Sequence, residues 1–303
     1  MRELSYQVPN GWEGKPVSAY ARRELGLSAR SWAAVKFQGS VLLNGEPVRA
    51  SRILARGDLL TLRLHEQTRP ITAPPAGYQL SFPILYEDED FLIAAKPPVM
   101  PVHPSPGHDR DDLVTALREY YRLTGQDCPA RPMYRLDKDT SGVLPLAKHK
   151  IAAGAQTAKQ YLAVCEGALF GSGSVKAAIG LEEESKIRRV CGAGPGFLPA
   201  LTHWRALKRR EGHTLLAVQI VTGRTHQIRV HMAQIGHPLA GDDLYGGSLE
   251  RISRQALHCR SLELACKPLG FRRVFAAPLP RDLLLAFPWI QEALSAPEGD
   301  CHD

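Results

Sequence analysis

The sequence predicts an α+β protein: a mixed, largely antiparallel sheet in the main domain, preceded by a small N-terminal α/β module. Three observations carry this expectation. Strand-like segments between residues 84 and 264 do not alternate strictly with helical ones, which argues against a doubly wound fold. The segment 66–78, EQTRPITAPPAGY, holds three prolines and a glycine and reads as a linker. Ahead of it, two helical patterns and a hairpin signal fit within residues 12–65.

In chain order, Val17, Tyr20, Ala21 and Leu25 recur at helical spacing. Ser28 is placed to cap a second helix that runs through Trp32 and Val35 and ends near Gly39. In VLLNGEPV, Asn44-Gly45 supplies the left-handed turn of a hairpin, and LLTLRL alternates as a strand after Gly57-Asp58. Beyond the linker, a domain over 79–290 opens with ILYEDEDFLIAAKPP, two short strands about an acidic turn, the second ended by Pro97-Pro98. A helix follows Asp111, with Leu113, Ala116, Leu117, Tyr120 and Tyr121 inward and Gly125 closing it. QYLAVCEG, THWRALKRR and HTLLAVQIV read as strands, and 291–303 as a tail.

With 44% hydrophobic and 23% charged residues, the composition is that of an ordinary soluble protein. No membrane span or secretory leader is evident, so a cytoplasmic address and no membrane partner are expected. The six cysteines form no CxxC pair, and reduced thiols rather than zinc or disulfides are the expectation. Of the formal charge of +7, residues 1–65 supply +5, ten Lys/Arg against five acids. A basic module suggests a polyanionic partner, although solubility alone could account for it.

Two runs carry chemistry. The first is YRLDKDTSGVLPLAK at 134–148. An aspartate after an apolar strand, held by a Ser/Thr/Gly turn, occupies a fixed and partly dry place, and Asp137 is therefore expected to react or to pair with a cation. The second is VTGRTHQIRVHMAQIGHPLAGDDLYG at 221–246, where a strand ends at Thr222-Gly223 and a helix with Ile228, Met232 and Ile235 follows. Arg224 and Arg229 near its start suit an anion, either a phosphate or a partner carboxylate. His226, His231 and His237 lie five and six apart without the Glu of H-E-x-x-H, so no metal is expected.

Four stretches in order, ILYEDEDFLIAAKPPVMPVHPS, YRLDKDTSGVLPLAK, KQYLAVCEG and TGRTHQIRVHMAQIGHPLAGDDLYG, with QALHCRSLEL as a weaker fifth, resemble the A-type family of large-subunit rRNA pseudouridine synthases. The resemblance spans about residues 80–265. In the N-terminal module, GLSARSW, QGSVLLNGEPV and RGDLLTL resemble the alpha-L RNA-binding module of a small-subunit ribosomal protein. Three positions depart from the family pattern: Tyr134 where His is usual, Cys266-Lys267-Pro268 near a usual His-Pro, and Pro145 within a usual leucine run.

The resemblance implies an isomerase that converts specific uridines of structured RNA to pseudouridine, with no cofactor. Large-subunit rRNA leads and tRNA follows as the implied target; no DNA partner is expected, and the chain is expected to be a monomer. Asp137 takes the role of catalytic carboxylate, attacking the ribose or abstracting its 2′-proton, Arg229 that of its cationic partner, and Tyr161 that of a ring stacked on the base with a phenol available for proton removal from C5. Leu257 is expected against the uracil and Arg135 in the space that the extruded base vacates, with Arg224 and His226 also contacting substrate. Arg22, Arg23, Arg30 and Lys36 become phosphate contacts, with further backbone contacts from Lys186, Arg188, Arg189, Lys208, Arg209 and Arg210. Two rivals remain at this stage: a non-catalytic RNA-binding or ribosome-assembly factor on the same scaffold, and a glycoside hydrolase using a carboxylate pair.

Overall fold

Alternating burial in RELSYQ makes residues 2–7 a strand with one covered face, and that strand joins the N-terminal sheet ahead of the boundary expected at residue 12. The computed structural model describes residues 2–64, 80–104, 111–185 and 187–295; the expected linker 66–78, Lys186 and the tail beyond 295 lie outside them. The first sheet holds β1 (Arg2–Gln7), β2 (Gly39–Leu43), β3 (Glu46–Pro47) and β4 (Leu59–Leu64) in the antiparallel order β1-β4-β2-β3. Helix α1 (Val17–Ala19) is a single turn that widens into a π-helical turn over Tyr20–Glu24, so the first expected helix is shorter and less regular than its spacing suggests. In α2 (Ala29–Gln38) the Ser28 Oγ accepts from Ser31 N at 3.0 Å, which caps the helix start. Asn44 and Gly45 both have positive φ, 52° and 87°, as the tight hairpin requires.

The second sheet has ten strands: β5 (Ile84–Glu87), β6 (Phe91–Lys96), β7 (Arg131–Pro132), β8 (Ser141–Ala147), β9 (Gln156–Glu166), β10 (Ser172–Lys176), β13 (Leu201–Arg210), β14 (His213–Ile220), β15 (Leu257–Cys266) and β16 (Phe271–Ala276). A separate hairpin pairs β11 (Ile179–Leu181) with β12 (Arg189–Cys191). The main path runs β10-β13-β14-β9-β15-β8-β6-β5, with β16 beside β15 and β7 beside β8. Every pairing is antiparallel except β8 with β15, which meet in parallel at His258↔Ser141 and Cys259↔Gly142. The mixed, largely antiparallel expectation agrees with this topology. At the parallel junction a Cβ on Gly142 would lie 2.2 Å from the Cys259 carbonyl oxygen, and its φ is +127°, so only glycine allows the two strands to meet there.

Helices α3 (Leu113–Leu123) and α4 (Gln227–Gln234) cover one face of the sheet. Leu117, Tyr121 and Met232 pack there with Leu92, Leu144 and Leu216. Asp112 caps α3 by accepting from Thr115 N at 3.0 Å. Helices α5 (Arg281–Ala286) and α6 (Ile290–Ser295) close over Leu162, Val164 and Leu215 with Leu283, Phe287 and Ile290; α6 thus takes up residues 291–295 of the expected tail. No described helix is long and apolar enough to cross a membrane.

The N-terminal sheet shares a core with the large sheet. Val17, Trp32, Leu60 and Leu62 join one buried cluster with Phe91, Ile93, Val143, Ile151 and Leu262. This explains why FLIAAK is buried at every position and apolar through Ala95: Phe91, Ile93 and Ala95 face one core, Leu92 and Ala94 the other. Polar contacts fasten the same seam. Arg2 grips Asp90 with Nε and Nη2 at 2.9 and 3.0 Å, and His149 Nε2 meets the same carboxylate at 2.7 Å. Tyr6 donates to the Pro268 carbonyl at 2.6 Å, and Ser31 to the Lys150 carbonyl at 3.0 Å.

Candidate active site

Asp137 lies in the loop between β7 and β8, where the Asp137–Thr140 turn closes by Thr140 N donating to the Asp137 carbonyl at 3.1 Å. The aspartate therefore precedes the long apolar strand rather than following one. Ser141 and Gly142, expected in the turn, already belong to β8, because the parallel pairing to β15 needs them extended. Two buried cations that sequence reasoning missed hold this loop. Lys96 Nζ donates to the carbonyls of Pro97, Met100 and Lys138 at 2.9, 2.7 and 2.8 Å. Burial pushes its ammonium down to about 7. Arg254 Nη1 donates to the Asp139, Gln255 and Leu257 carbonyls at 3.0, 3.1 and 3.4 Å. The other edge of its guanidinium is clasped by Asp282 at 2.6 and 3.0 Å. The one local sign of Lys96 was a lysine ending an otherwise apolar strand just before Pro97-Pro98.

Arg229 projects from α4 toward the same loop. Its Nη1 stands 3.5 Å from Asp137 Oδ2. Its firmer hold is on Asp242, which accepts from Nε and Nη2, both at 2.7 Å, with a fully buried side chain. Burial would lower the guanidinium's affinity for its proton, but the bonds and charge of Asp242, then the charge of Asp137, outweigh it and raise that affinity. Asp242 was not singled out from sequence, because only the folded chain brings it to Arg229. It stands next to Gly241, whose φ is +76° and where a Cβ would fall 2.0 Å from the Arg254 carbonyl oxygen. The Arg229 guanidinium also lies 5.0 Å above the Tyr245 ring. A quarter of the Asp137 side chain remains exposed, so its desolvation is only partial.

Asp137 and Arg229 border a cavity of about 590 Å³ that Tyr161, Leu257, Arg135, Arg224, His226, Tyr134 and Lys159 also line. Tyr161 sits on β9 with 5% exposure. Burial pushes its phenol far above the usual tyrosine range, and Cys259 and the Asp137 charge add to this, so the hydroxyl keeps its proton. His226 has φ of 57°, a left-handed conformation that an ordinary side chain adopts only when the surroundings impose it. Its Nδ1 meets the Tyr245 hydroxyl at 2.9 Å. Burial pushes the imidazole down against the opposing pull of Asp137 and keeps the ring neutral. Arg135 reaches across the opening to Thr225 Oγ1 at 3.2 Å, and Arg224 Nε donates to the Pro199 carbonyl at 3.1 Å.

The three histidines do not converge. His231 bonds Thr202 and the Ala177 carbonyl, and His237 meets the Glu166 carbonyl. Among the described residues no group of three His, Cys, Asp or Glu side chains could hold a metal. Arg22, Arg23, Arg30 and Lys36 are exposed on the N-terminal module and do not line the cavity. Lys36 stacks over the Phe37 ring at 4.8 Å, and that ring is 80% exposed.

Residues 90–234 match the family model described as RNA pseudouridylate synthase. An RNA pseudouridine synthase of Bacillus subtilis, YjbO, is 37% identical over 86% of this chain and 94% of its own length. The ribosomal large subunit pseudouridine synthase D of Xylella fastidiosa is 37% identical over 91% and 89% of the two chains. Human RNA pseudouridylate synthase domain containing 1 superposes with a TM-score of 0.52 at 25% identity, covering 74% of this chain and 99% of its own. With its matched region running from Asp90 through α4 and enclosing Asp137, Tyr161 and Arg229, the chain belongs to the RNA pseudouridine synthase family.

Proposed function

We propose that this RNA pseudouridine synthase isomerises uridine in large-subunit rRNA, with Asp137 as the catalytic carboxylate, Arg229 as its charge partner and Tyr161 as the platform for the extruded base. The observation that carries the reading is the Asp137 carboxylate 3.5 Å from a guanidinium already fixed by Asp242, at the wall of a 590 Å³ cavity. The guanidinium gives that carboxylate a fixed counter-charge, and Asp242 keeps the guanidinium from turning elsewhere. The relatives named for the ribosomal large subunit favour rRNA over tRNA as the substrate.

In the reaction the C1′–N1 bond breaks and its electron pair stays with the uracil. The base turns, C5 bonds to C1′, and the proton lost from C5 is balanced by one gained at N1. Asp137 either attacks C1′, forming an ester that breaks as C5 bonds to C1′, or takes the 2′-proton to leave a C1′=C2′ double bond and returns that proton to C2′ as C5 adds; in both routes it starts as the anion, and in both the uracil passes through an anion. Leu257 packs on the uracil, Arg135 moves off Thr225 into the space that the base leaves, and His226 and Arg224 meet the sugar-phosphate backbone. The exposed Arg22, Arg23, Arg30 and Lys36 of the basic module hold flanking phosphates.

Pseudouridine mapping of large-subunit rRNA from cells with and without the gene identifies the target. Purified Asp137→Asn, close to isosteric, is expected to form no pseudouridine on that RNA and to bind it within a few-fold of wild type. Wild-type turnover by Asp137→Asn would overturn the assignment.

A further inference from the structure

Lys159 stands two residues before Tyr161 on β9, and both line the cavity, as residues of one strand face do. Its Nζ lies 4.2 Å over the ring of Tyr134, whose hydroxyl is tied to the Val143 carbonyl. Among the described residues no carboxylate pairs with Lys159, and burial lowers the affinity of the amine for its proton. The register gives the direction: Ser141, which follows the Asp137 loop, lies opposite His258, Tyr161 opposite Cys259 and Lys159 opposite Leu262. A half-buried cation without an ion-pair partner among the described residues therefore lines the cavity on the side of Tyr161 away from Asp137. Such a group is costly unless a ligand completes it.

We infer that Lys159 donates a hydrogen bond to the uracil carbonyl on the edge of the base farthest from the ribose. This rests on the reading of Asp137 and Tyr161 given above. With C1′ held at Asp137 and the ring over Tyr161, the atom diametrically opposite N1 is C4. Lys159 stands one two-residue strand step, about 6.6 Å, beyond Tyr161, within reach of O4 for a long side chain that lines the same cavity. When C1′–N1 breaks, the pair left on N1 spreads by conjugation onto O4 and O2, so a fixed cation there stabilises the departing anion more than the bound uridine. After the base turns and C5 faces C1′, the atom opposite C5 is C2. O2 then occupies the place that O4 left, and one immobile lysine meets a carbonyl oxygen in both substrate and product orientations. Cytosine carries an amino donor at C4 and would set donor against donor.

The test uses single-turnover kinetics and a salt series of binding on a synthetic RNA holding the mapped uridine. Lys159→Met, which keeps the apolar stem and the melting temperature, is expected to slow turnover about 100-fold at unchanged affinity and salt slope. Lys159→Arg is expected to restore most of the rate. Replacing the target by 4-thiouridine should slow the wild type but add little to the loss in Lys159→Met. An unchanged rate overturns the inference, as does a salt slope reduced by one charge at unchanged rate, which would mark a phosphate contact. Asp137→Asn runs beside these variants: if it still turns over, the fault lies in the underlying assignment rather than in Lys159.

Discussion

Asp242→Asn removes one negative charge and changes almost no volume. In the wild type two guanidinium N–H groups of Arg229 end on this carboxylate at 2.7 Å, the acid side chain is fully buried, and the arginine side chain is 9% exposed. Removing one member of such a buried pair costs about 3–5 kcal/mol, chiefly because the remaining charge is left uncompensated. The Asn carbonyl retains one acceptor, and Asp137, at 3.5 Å, retains part of the counter-charge. The expected loss is thus at the lower end, about 3 kcal/mol, which for a chain of this size lowers the melting temperature by roughly 6–12 °C. The guanidinium should also turn from Asp242 toward Asp137, tightening on the group that has to meet the ribose. Turnover measured below the melting transition is expected to fall at least about tenfold, with RNA affinity held, because the loss falls on a transition-state interaction. A variant melting within about 2 °C of wild type and turning over at wild-type rate would show that Asp242 neither bears the charge of Arg229 nor orients it.

Two further outcomes follow from the same structure. His258 is held neutral: Ser141 Oγ lies 2.9 Å from its Nδ1 and the Ala277 carbonyl 3.5 Å from its Nε2, and burial pushes its pKa down to about 4. The unfolded chain, with a histidine near 6.5, takes up a proton that the folded one refuses, so stability should fall as pH drops from about 6.5 toward 4. His258→Gln should flatten that part of a stability-against-pH curve, and an unaltered curve would refute the assignment. Changing Arg22, Arg23, Arg30 and Lys36 together to Gln should weaken RNA binding and reduce its log–log salt slope by about 3, while single-turnover rate at saturation stays near wild type; an unchanged slope would remove these side chains from the interface.

Much of the fold was legible locally. Strand-like runs marked β9, β13 and β14, Asn44-Gly45 marked a hairpin, and Ser28 marked a helix start, because each signal is settled within a few residues. Strand β1 was overlooked although RELSYQ alternates, since a short N-terminal run carries little weight until its partner β4 is known. The family resemblance directed attention to Asp137, Tyr161 and Arg229, which line one cavity. Asp242, Lys96 and Arg254 were not legible. Each matters through a partner distant in sequence, Lys96 through the carbonyl of Lys138 and Arg254 through that of Asp139, and no local pattern announces a carbonyl acceptor. The departure at Tyr134 gained a physical meaning only in three dimensions, where its ring lies beneath Lys159.

The seam between the two sheets bears on target choice. Because Arg2, Tyr6 and Ser31 fasten the small module onto Asp90, Pro268 and Lys150 over a common apolar interior, the basic side chains of α2 keep a set span to the catalytic cleft. Under the RNA-binding role proposed for that module, an RNA gripped at one end of the span would offer the other only those nucleotides its own folding carries the same distance. The protein would then select a uridine much as a ruler does, by where it stands in a folded RNA, with sequence around the target left free to vary.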